Sequence, residues 1–251
     1  MSEVRVATSG HVATIVFHRP PHNHVNLALL TELADTFDAL DAEKNVRAIV
    51  LASEGRNFCA GADLTSDDNP TNKTGPSPFY AQAVRLFSYK KPVIAAVQGA
   101  AVGAGLGLAL VADHRVAQPD ARFTANFTKL GFHPGFGLTH TLPRLIGESR
   151  ASLMFLTGRR ISGPEALGWG LACVLADDAR AGAQQLAAEI AENAPLGVQS
   201  TRATLRAGLA AAVKAQTDHE DHEQTWLKDT KDFAEGVRAV SERRPGNFRG
   251  E

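Results

Sequence analysis

The fold of this chain is decided by two segments of small residues, Phe58-Cys59-Ala60-Gly61-Ala62-Asp63 and Gly99-Ala100-Ala101-Val102-Gly103-Ala104-Gly105-Leu106-Gly107. Each segment directly follows an apolar run that is typical of a buried strand, and the second also opens a predicted helix. Small residues let a ligand approach the backbone closely, and a helix N-terminus favours negative charge. The two segments therefore predict a pair of backbone N–H groups aimed at a carbonyl oxygen, where one such donor is typically worth about 3 kcal/mol.

Two other interpretations of the second segment fail on spacing. Residues 103–107 read G-x-G-x-G, whereas a dinucleotide-binding loop needs G-x-G-x-x-G and an acidic residue about twenty positions later. The sequence contains no G-x-S-x-G nucleophile elbow, so it does not indicate a serine hydrolase. Close packing alone would explain either segment by itself, but the occurrence of both after strands favours oxygen binding.

Composition limits the class of protein. The chain has 251 residues, 44% of them hydrophobic, and a formal net charge of −1, which gives no reason to expect a nucleic acid or a membrane as a partner. Cys59 and Cys173 lie far apart and are predicted to be buried thiols in a reducing compartment. The sequence shows no signal peptide and no apolar run of about 18 residues, so a cytoplasmic protein is expected.

Apolar periodicity predicts an α/β protein. The predicted elements include a hairpin of residues 4–8 and 12–17, an amphipathic helix at 27–40, buried strands at 47–52 and 92–97, and a long helix at 179–193. Strands alternate with helices up to about residue 195, which favours mostly parallel pairing. We therefore predict a core domain at 1–195 and a helical region at 196–251.

Several motifs along the whole chain resemble the enoyl-CoA hydratase/isomerase (crotonase) superfamily. They are Asn57-Phe58-Cys59-Ala60-Gly61-Ala62-Asp63-Leu64, Lys91-Pro92-Val93-Ile94-Ala95-Ala96-Val97-Gln98-Gly99, the glycine-rich helix start, Leu156-Thr157-Gly158-Arg159-Arg160-Ile161, Ala166-Leu167-Gly168-Trp169-Gly170-Leu171 and Phe233-Ala234-Glu235-Gly236. The resemblance implies a crotonase-like ββα spiral core with a C-terminal helical trimerisation region. It also implies a homotrimer or a hexamer made of two trimers, and a coenzyme A thioester as substrate or ligand, with no other cofactor and no metal.

The resemblance assigns roles to individual positions. Ala62 and Ala104 would supply the two backbone N–H groups of the oxyanion hole. Positions that would line the CoA are His24, Val25, Ala60, Asp63 and Leu64, and Arg243 would reach the nucleotide of a CoA bound to a neighbouring subunit.

The carboxylates that the family uses are missing from their positions. Hydratases of the family use two glutamates, and the matching positions here are Gly107 and Phe127. A dehalogenase relative uses an aspartate that would match Gly135. Loss of a positioned general base typically costs about 10²–10⁴-fold in rate, so the usual hydratase mechanism is in question.

Other polar side chains are candidates for the missing acid or base. His133, in a glycine-rich loop, ranks first, because imidazole titrates near neutral pH, although such a histidine also caps helices. Tyr80 matches a catalytic position of one relative, but helix packing explains it as well. Asp67, Asp68 and Asn126 are weaker candidates. The run Asp218-His219-Glu220-Asp221-His222-Glu223 is interpreted as a solvated helix face and not as a metal site.

The sequence thus predicts a protein that binds a fatty or branched acyl-CoA and stabilises a thioester enolate, with His133 or Tyr80 moving the proton. The alternative is a non-catalytic acyl-CoA-binding or regulatory member of the same family, which an apolar reaction chamber would favour.

Overall fold

The computed structural model of the protein describes residues 3–63 and 77–251. The strands are β1 (Val4–Ser9), β2 (Val12–Phe17), β3 (Ala48–Ser53), β4 (Val93–Val97), β5 (Ala100–Val102), β6 (His114–Ala117), β7 (Arg122–Thr124), β8 (Arg160–Ser162) and β9 (Val174–Leu175). The helices are α1 (Leu27–Ala42), α2 (Pro78–Arg85), α3 (Ala104–Val111), α4 (Leu138–Ile146), α5 (Glu148–Thr157), α6 (Gly163–Trp169), α7 (Ala179–Ala191), α8 (Pro195–Leu205), α9 (Leu209–Leu227) and α10 (Lys231–Ser241). A short 3-10 helix spans Phe127–Leu130.

The strands form two sheets. The larger sheet has the order β1-β2-β3-β4-β6-β9, in which β1 and β2 are antiparallel and every other neighbouring pair is parallel. The smaller sheet has the order β5-β7-β8, with β5 parallel and β8 antiparallel to β7. This arrangement confirms the mostly parallel pairing that the alternation of strands and helices predicts.

The larger sheet is covered on both faces. Because successive strand residues point to opposite faces, Ile49 and Leu51 of β3 enter the main core, while Val50 packs in a second cluster under α7. The helix α7 presents alanines at every fourth position to this second cluster, and these small side chains bring the helix close to the sheet.

Helix α1 forms where the sequence predicts it. Asn26 caps its N-terminus by accepting a hydrogen bond from the Leu29 amide at 2.9 Å. Its buried face joins the main core and consists of Leu29, Leu30, Leu33, Ala34, Phe37 and Leu40.

From Pro195 onward the regular structure of the chain is helical. Helix α9 contacts α2 and α4, and its buried positions include Glu220 and Gln224. No helix within residues 3–63 and 77–251 is long and apolar enough to cross a membrane.

The prediction of two buried thiols is wrong for one of them. Cys59 is buried, but Cys173 is exposed, because it lies just before the two-residue edge strand β9. Its Sγ lies 3.6 Å from Nδ1 of His114, and this hydrogen bond lowers the pKa of the Cys173 thiol to about 7. Both cysteines are free thiols.

Candidate active site

The amide of Ala62 is oriented by a single parallel bridge to Val25. The Val25 amide donates to the Gly61 carbonyl at 2.9 Å, and the Asp63 amide donates to the Val25 carbonyl at 2.8 Å. In a parallel ladder the residue between two such bonds directs its own N–H to the opposite side. The Ala62 amide therefore points away from Val25 and has no backbone acceptor among the described residues.

The amide of Ala104 is the first of helix α3. The first four amides of a helix have no partner within it, and they carry the positive end of the helix dipole. No backbone acceptor for the Ala104 amide exists in the described part of the chain. Gly105 lets this helix start lie against the Cys59 carbonyl, because a Cβ at position 105 would collide with that carbonyl. The two small-residue segments are thereby brought side by side.

Ala62 and Ala104 line one cavity of about 200 Å³. The described residues that line it are mostly apolar, with four phenylalanines among them. They are His24, Ala60, Gly61, Ala62, Phe79, Tyr80, Val102, Gly103, Ala104, Asn126, Phe127, Leu130, Phe132, Gly135, Phe136, Gln224 and Val240. None of these residues is a carboxylate, so the titratable side chains of this described lining are His24 and Tyr80.

Tyr80 and Gln224 form the polar wall of the cavity. The Tyr80 hydroxyl donates to Oε1 of Gln224 at 2.6 Å, and Nε2 of Gln224 donates to the His133 carbonyl at 2.8 Å. Burial raises the pKa of Tyr80 well above its usual value, and the nearby Glu220 carboxylate raises it further. Tyr80 therefore stays protonated near neutral pH, with its hydroxyl proton held by Gln224.

The buried carboxylate of Glu220 holds the start of helix α4. Its oxygens accept hydrogen bonds from the amides of Gly137 at 2.7 Å and Thr139 at 2.9 Å, and from the Thr139 hydroxyl at 2.5 Å. Gly137 has no side chain with which to cap α4, so Glu220 supplies the cap from α9. The prediction of a solvated helix face is wrong for Glu220, which is 0% exposed, because α9 turns this side toward α4.

We expect Glu220→Ala to lower the free energy of unfolding by about 2–5 kcal/mol, because the buried Gly137 amide and the partly buried Thr139 amide would lose their acceptor. Denaturant titration monitored by circular dichroism measures this loss. The matched control is Glu223→Ala on the same helix, since the Glu223 side chain is only partly buried and accepts a hydrogen bond from Nε1 of Trp226 on its own helix. Equal stability of both variants would contradict the capping role.

The titration of Glu220 predicts that the free energy of unfolding depends on pH. Burial raises the pKa of Glu220 from 4.5 to about 7, so the folded protein binds more protons than the unfolded chain between these values. Its contribution to stability therefore falls as pH rises from about 4.5 to about 7, by about 3 kcal/mol, and is constant above that range. The Glu220→Gln variant, which cannot titrate, is expected to lack this component, and an unchanged pH profile would contradict it.

Aromatic and polar side chains occupy the space that carboxylates would need. A Cβ on Gly107 would lie 2.6 Å from Cδ1 of Phe136, so Phe136 fills the volume of any side chain at position 107. A Cβ on Gly135 would collide with the Tyr80 hydroxyl and lie 2.6 Å from Nε2 of Gln224. At position 127 the phenylalanine ring packs beside Gly103. The packing around the cavity therefore accounts for the missing carboxylates at positions 107, 127 and 135.

We expect Gly107→Ala to be less stable than Gly168→Ala by about 1–3 kcal/mol, the usual cost of overpacking a core. Both substitutions gain helix propensity, but a Cβ on Gly168 would meet nothing within 4 Å. Thermal and denaturant unfolding of the two variants measures the difference. Equal stabilities would show that Phe136 does not fill the space beside Gly107.

The other predicted site residues have different surroundings. His24 and Ala60 line the cavity, and burial lowers the pKa of His24, which keeps its imidazole neutral. Val25 is buried, and Asp63 pairs with Arg19 at 2.9 Å. Leu64, Asp67 and Asp68 lie outside the described residues.

His133 and Arg243 are not among the residues that line the cavity. Nδ1 of His133 lies 2.7 Å from the Pro134 carbonyl, and the ring lies 6.1 Å from that of His219. Arg243 follows the end of α10. Sequence reasoning missed Gln224 and Phe136, because neither residue belongs to a recognisable motif and each acts through a contact with a distant element.

Comparisons with known proteins agree on one family. The family model described as "Enoyl-CoA hydratase/isomerase" matches residues 7–251. A 2,3-dehydroadipyl-CoA hydratase of Escherichia coli is 36% identical over 258 residues, with all of both chains covered. A 1,2-epoxyphenylacetyl-CoA isomerase of the same organism is 34% identical, with 95% of each chain covered. The crystal structure of an enoyl-CoA hydratase/isomerase from Pseudoalteromonas atlantica matches with a TM-score of 0.88 at 29% identity, covering 99% of this chain and 100% of the other.

Proposed function

Because the chain belongs to the enoyl-CoA hydratase/isomerase family and has its crotonase-like α/β fold, we propose that it converts an enoyl-CoA thioester through an enolate. The thioester carbonyl would accept hydrogen bonds from the amides of Ala62 and Ala104. The observation that carries this proposal is that both amides lack a backbone acceptor among the described residues and border the same cavity. Such donors stabilise negative charge most where water is excluded.

We assign the proton transfer to Tyr80. Addition of water to Cβ of the enoyl group forms a C–O bond and moves the π electrons to the thioester as an enolate. The Tyr80 hydroxyl leaves its hydrogen bond to Gln224, and its O–H bond breaks as a C–H bond forms at Cα. One proton of the added water then passes to the tyrosine oxygen, and the other stays on the new hydroxyl group at Cβ. Tyr80 is preferred to His133, the first candidate from the sequence, because Tyr80 lines the cavity and His133 is not among the described lining residues.

For CoA we propose the contacts that the family resemblance implies. His24 and Ala60 would lie along the pantetheine arm, with Val25, Asp63 and Leu64 near it, and Arg243 would reach a CoA held by a neighbouring subunit. The homotrimer or hexamer, the division at residues 195 and 196, and the cytoplasmic location remain predictions from the sequence.

A second proposal is a non-catalytic acyl-CoA-binding protein. The observation that favours it is that no carboxylate stands among the described residues of the cavity lining, so the attacking water lacks the carboxylate base that the family's hydratases use.

The experiment that separates the two proposals combines binding with turnover. Calorimetry with butyryl-CoA, which cannot be hydrated, measures binding, and the loss of enoyl absorbance of crotonyl-CoA at high protein concentration measures hydration. Binding with hydration supports the enzyme, and binding without hydration supports the non-catalytic protein. Absence of binding would contradict both.

A further inference from the structure

The cavity is small for an acyl chain. Its volume is about 200 Å³, and an apolar protein cavity of about 150 Å³ is known to hold one benzene molecule. The space beside Ala62 and Ala104 therefore admits one six-membered ring and the one or two carbons that join it to the thioester. A long extended chain would have to leave the cavity or displace part of its wall.

The wall of the cavity is aromatic. Its four phenylalanines are Phe79, Phe127, Phe132 and Phe136, and the rings of Phe79 and Phe136 meet edge to face, with centroids 6.2 Å apart and planes at 79°. Aromatic rings favour such edge-to-face and offset contacts, which contribute about 0.5–1.5 kcal/mol per pair beyond burial. A ring placed among these side chains would gain contacts that a flexible alkyl chain does not make.

The position of Phe136 is fixed at an energetic cost. Its backbone has a φ of 65°, in the left-handed region that non-glycine residues rarely adopt, and its side chain is 1% exposed. The bare backbone of Gly107 leaves the room that its ring fills. Phe136 therefore forms a wall of the cavity in the space that a side chain at position 107 would need.

Among the described residues, the polar groups of the lining offer no charge that would balance a charged acyl end. The polar side chains are the neutral Tyr80, Asn126 and Gln224, together with His24, whose lowered pKa keeps it uncharged. No lysine or arginine belongs to the described lining. A carboxylate at the far end of an acyl group would find no cation among these described residues, and burying an unpaired charge is strongly unfavourable.

We propose that the acyl group accepted by this chain is an uncharged aryl group, a single ring joined to the thioester by the two carbons that carry the double bond, and that a phenylacetyl group, one carbon shorter, binds in the same place without reacting. This inference rests on the proposed function, because it assumes that the carbonyl lies between the Ala62 and Ala104 amides. It assigns Phe127 and Phe136 as specificity-determining residues.

The test compares acyl groups with equal numbers of carbon atoms. Calorimetry is performed on the intact protein with phenylacetyl-CoA, octanoyl-CoA and cyclohexylacetyl-CoA, and with free CoA as the baseline. We expect phenylacetyl-CoA to bind at least about tenfold more tightly than octanoyl-CoA, which corresponds to about 1.4 kcal/mol. Cyclohexylacetyl-CoA, with a ring of similar size but no π-system, is expected to bind between them.

Variants of the cavity wall identify the side chains that cause the preference for an aryl group. Phe127→Leu and Phe136→Leu are each expected to reduce the ratio of the affinities for phenylacetyl-CoA and octanoyl-CoA at least threefold. Phe37→Leu, which removes a buried ring outside the cavity, is expected to leave this ratio unchanged. Phe127→Leu serves alone if the Phe136 variant does not fold. Equal affinity for octanoyl-CoA and phenylacetyl-CoA, or for the two cyclic groups, would overturn the aryl proposal while leaving acyl-CoA binding intact. If no acyl-CoA binds more tightly than free CoA, the proposed function fails as well.

Discussion

Replacing Ala104 by proline is expected to slow the hydration of crotonyl-CoA by a factor of about 10²–10³, the usual effect of removing one oxyanion donor. Proline lacks the N–H, and its ring would occupy the place of the lost proton. The substitution suits the backbone, because the first position of a helix tolerates proline and Gly103 before it has no Cβ for the ring to meet. Stopped assays at saturating substrate measure the rate of hydration, and circular dichroism measures whether the variant is folded.

The matched control for this variant is Ala104→Gly, which keeps the N–H and is expected to retain most of the rate. A folded Ala104→Pro protein that hydrates crotonyl-CoA as fast as the original chain would show that this amide does not hold the thioester oxygen. Loss of rate in both variants would instead indicate damage to helix α3.

The second large effect is expected for Tyr80→Phe, with a rate of hydration lower by about 10²–10⁴ and an almost unchanged affinity for butyryl-CoA. The variant removes the hydroxyl that would protonate Cα and keeps the ring that packs against Phe79. It also leaves Oε1 of Gln224 without its donor, so a small loss of stability is expected. Kinetics with crotonyl-CoA and calorimetry with butyryl-CoA separate the two effects.

Two further variants make this assignment testable. Tyr89→Phe removes a buried hydroxyl that donates to the Val111 carbonyl away from the cavity, and it is expected to keep the original rate. His133→Ala tests the side chain that the sequence analysis ranks first as the candidate acid or base. A loss of rate in His133→Ala that exceeds the loss in Tyr80→Phe would contradict the role of Tyr80.

Much of the fold is predictable, because long periodic segments and local rules specify it. The apolar face of α1 and its Asn26 cap follow from the sequence alone, and so do the buried runs that become β3 and β4. The short strands β5, β8 and β9 were not predicted as separate strands. Strands of two or three residues show no usable periodicity and form only because their neighbours are already in place.

The candidate site is predictable where backbone geometry forms it, but not where contacts between distant elements do. The small residues at 58–63 and 99–107 indicate an oxyanion hole, because helix starts and strand ends have fixed N–H directions. The sequence of the charge-rich helix α9 does not show that Glu220 is buried and caps α4, because this contact depends on how the two helices pack. Likewise, the glycine at position 107 reads as a missing catalytic group, and only the structure shows that Phe136 has taken its space.

The central claim is that the amides of Ala62 and Ala104 polarise a thioester carbonyl. Difference infrared spectroscopy of butyryl-CoA with an isotope-labelled carbonyl measures this directly, because hydrogen bonds to the oxygen weaken the C=O bond. The account predicts that the carbonyl stretch of the bound thioester moves to lower frequency, and that the shift is reduced in Ala104→Pro and kept in Ala104→Gly. A bound carbonyl that absorbs at the frequency of free butyryl-CoA in water, or a shift that Ala104→Pro leaves intact, would contradict the account.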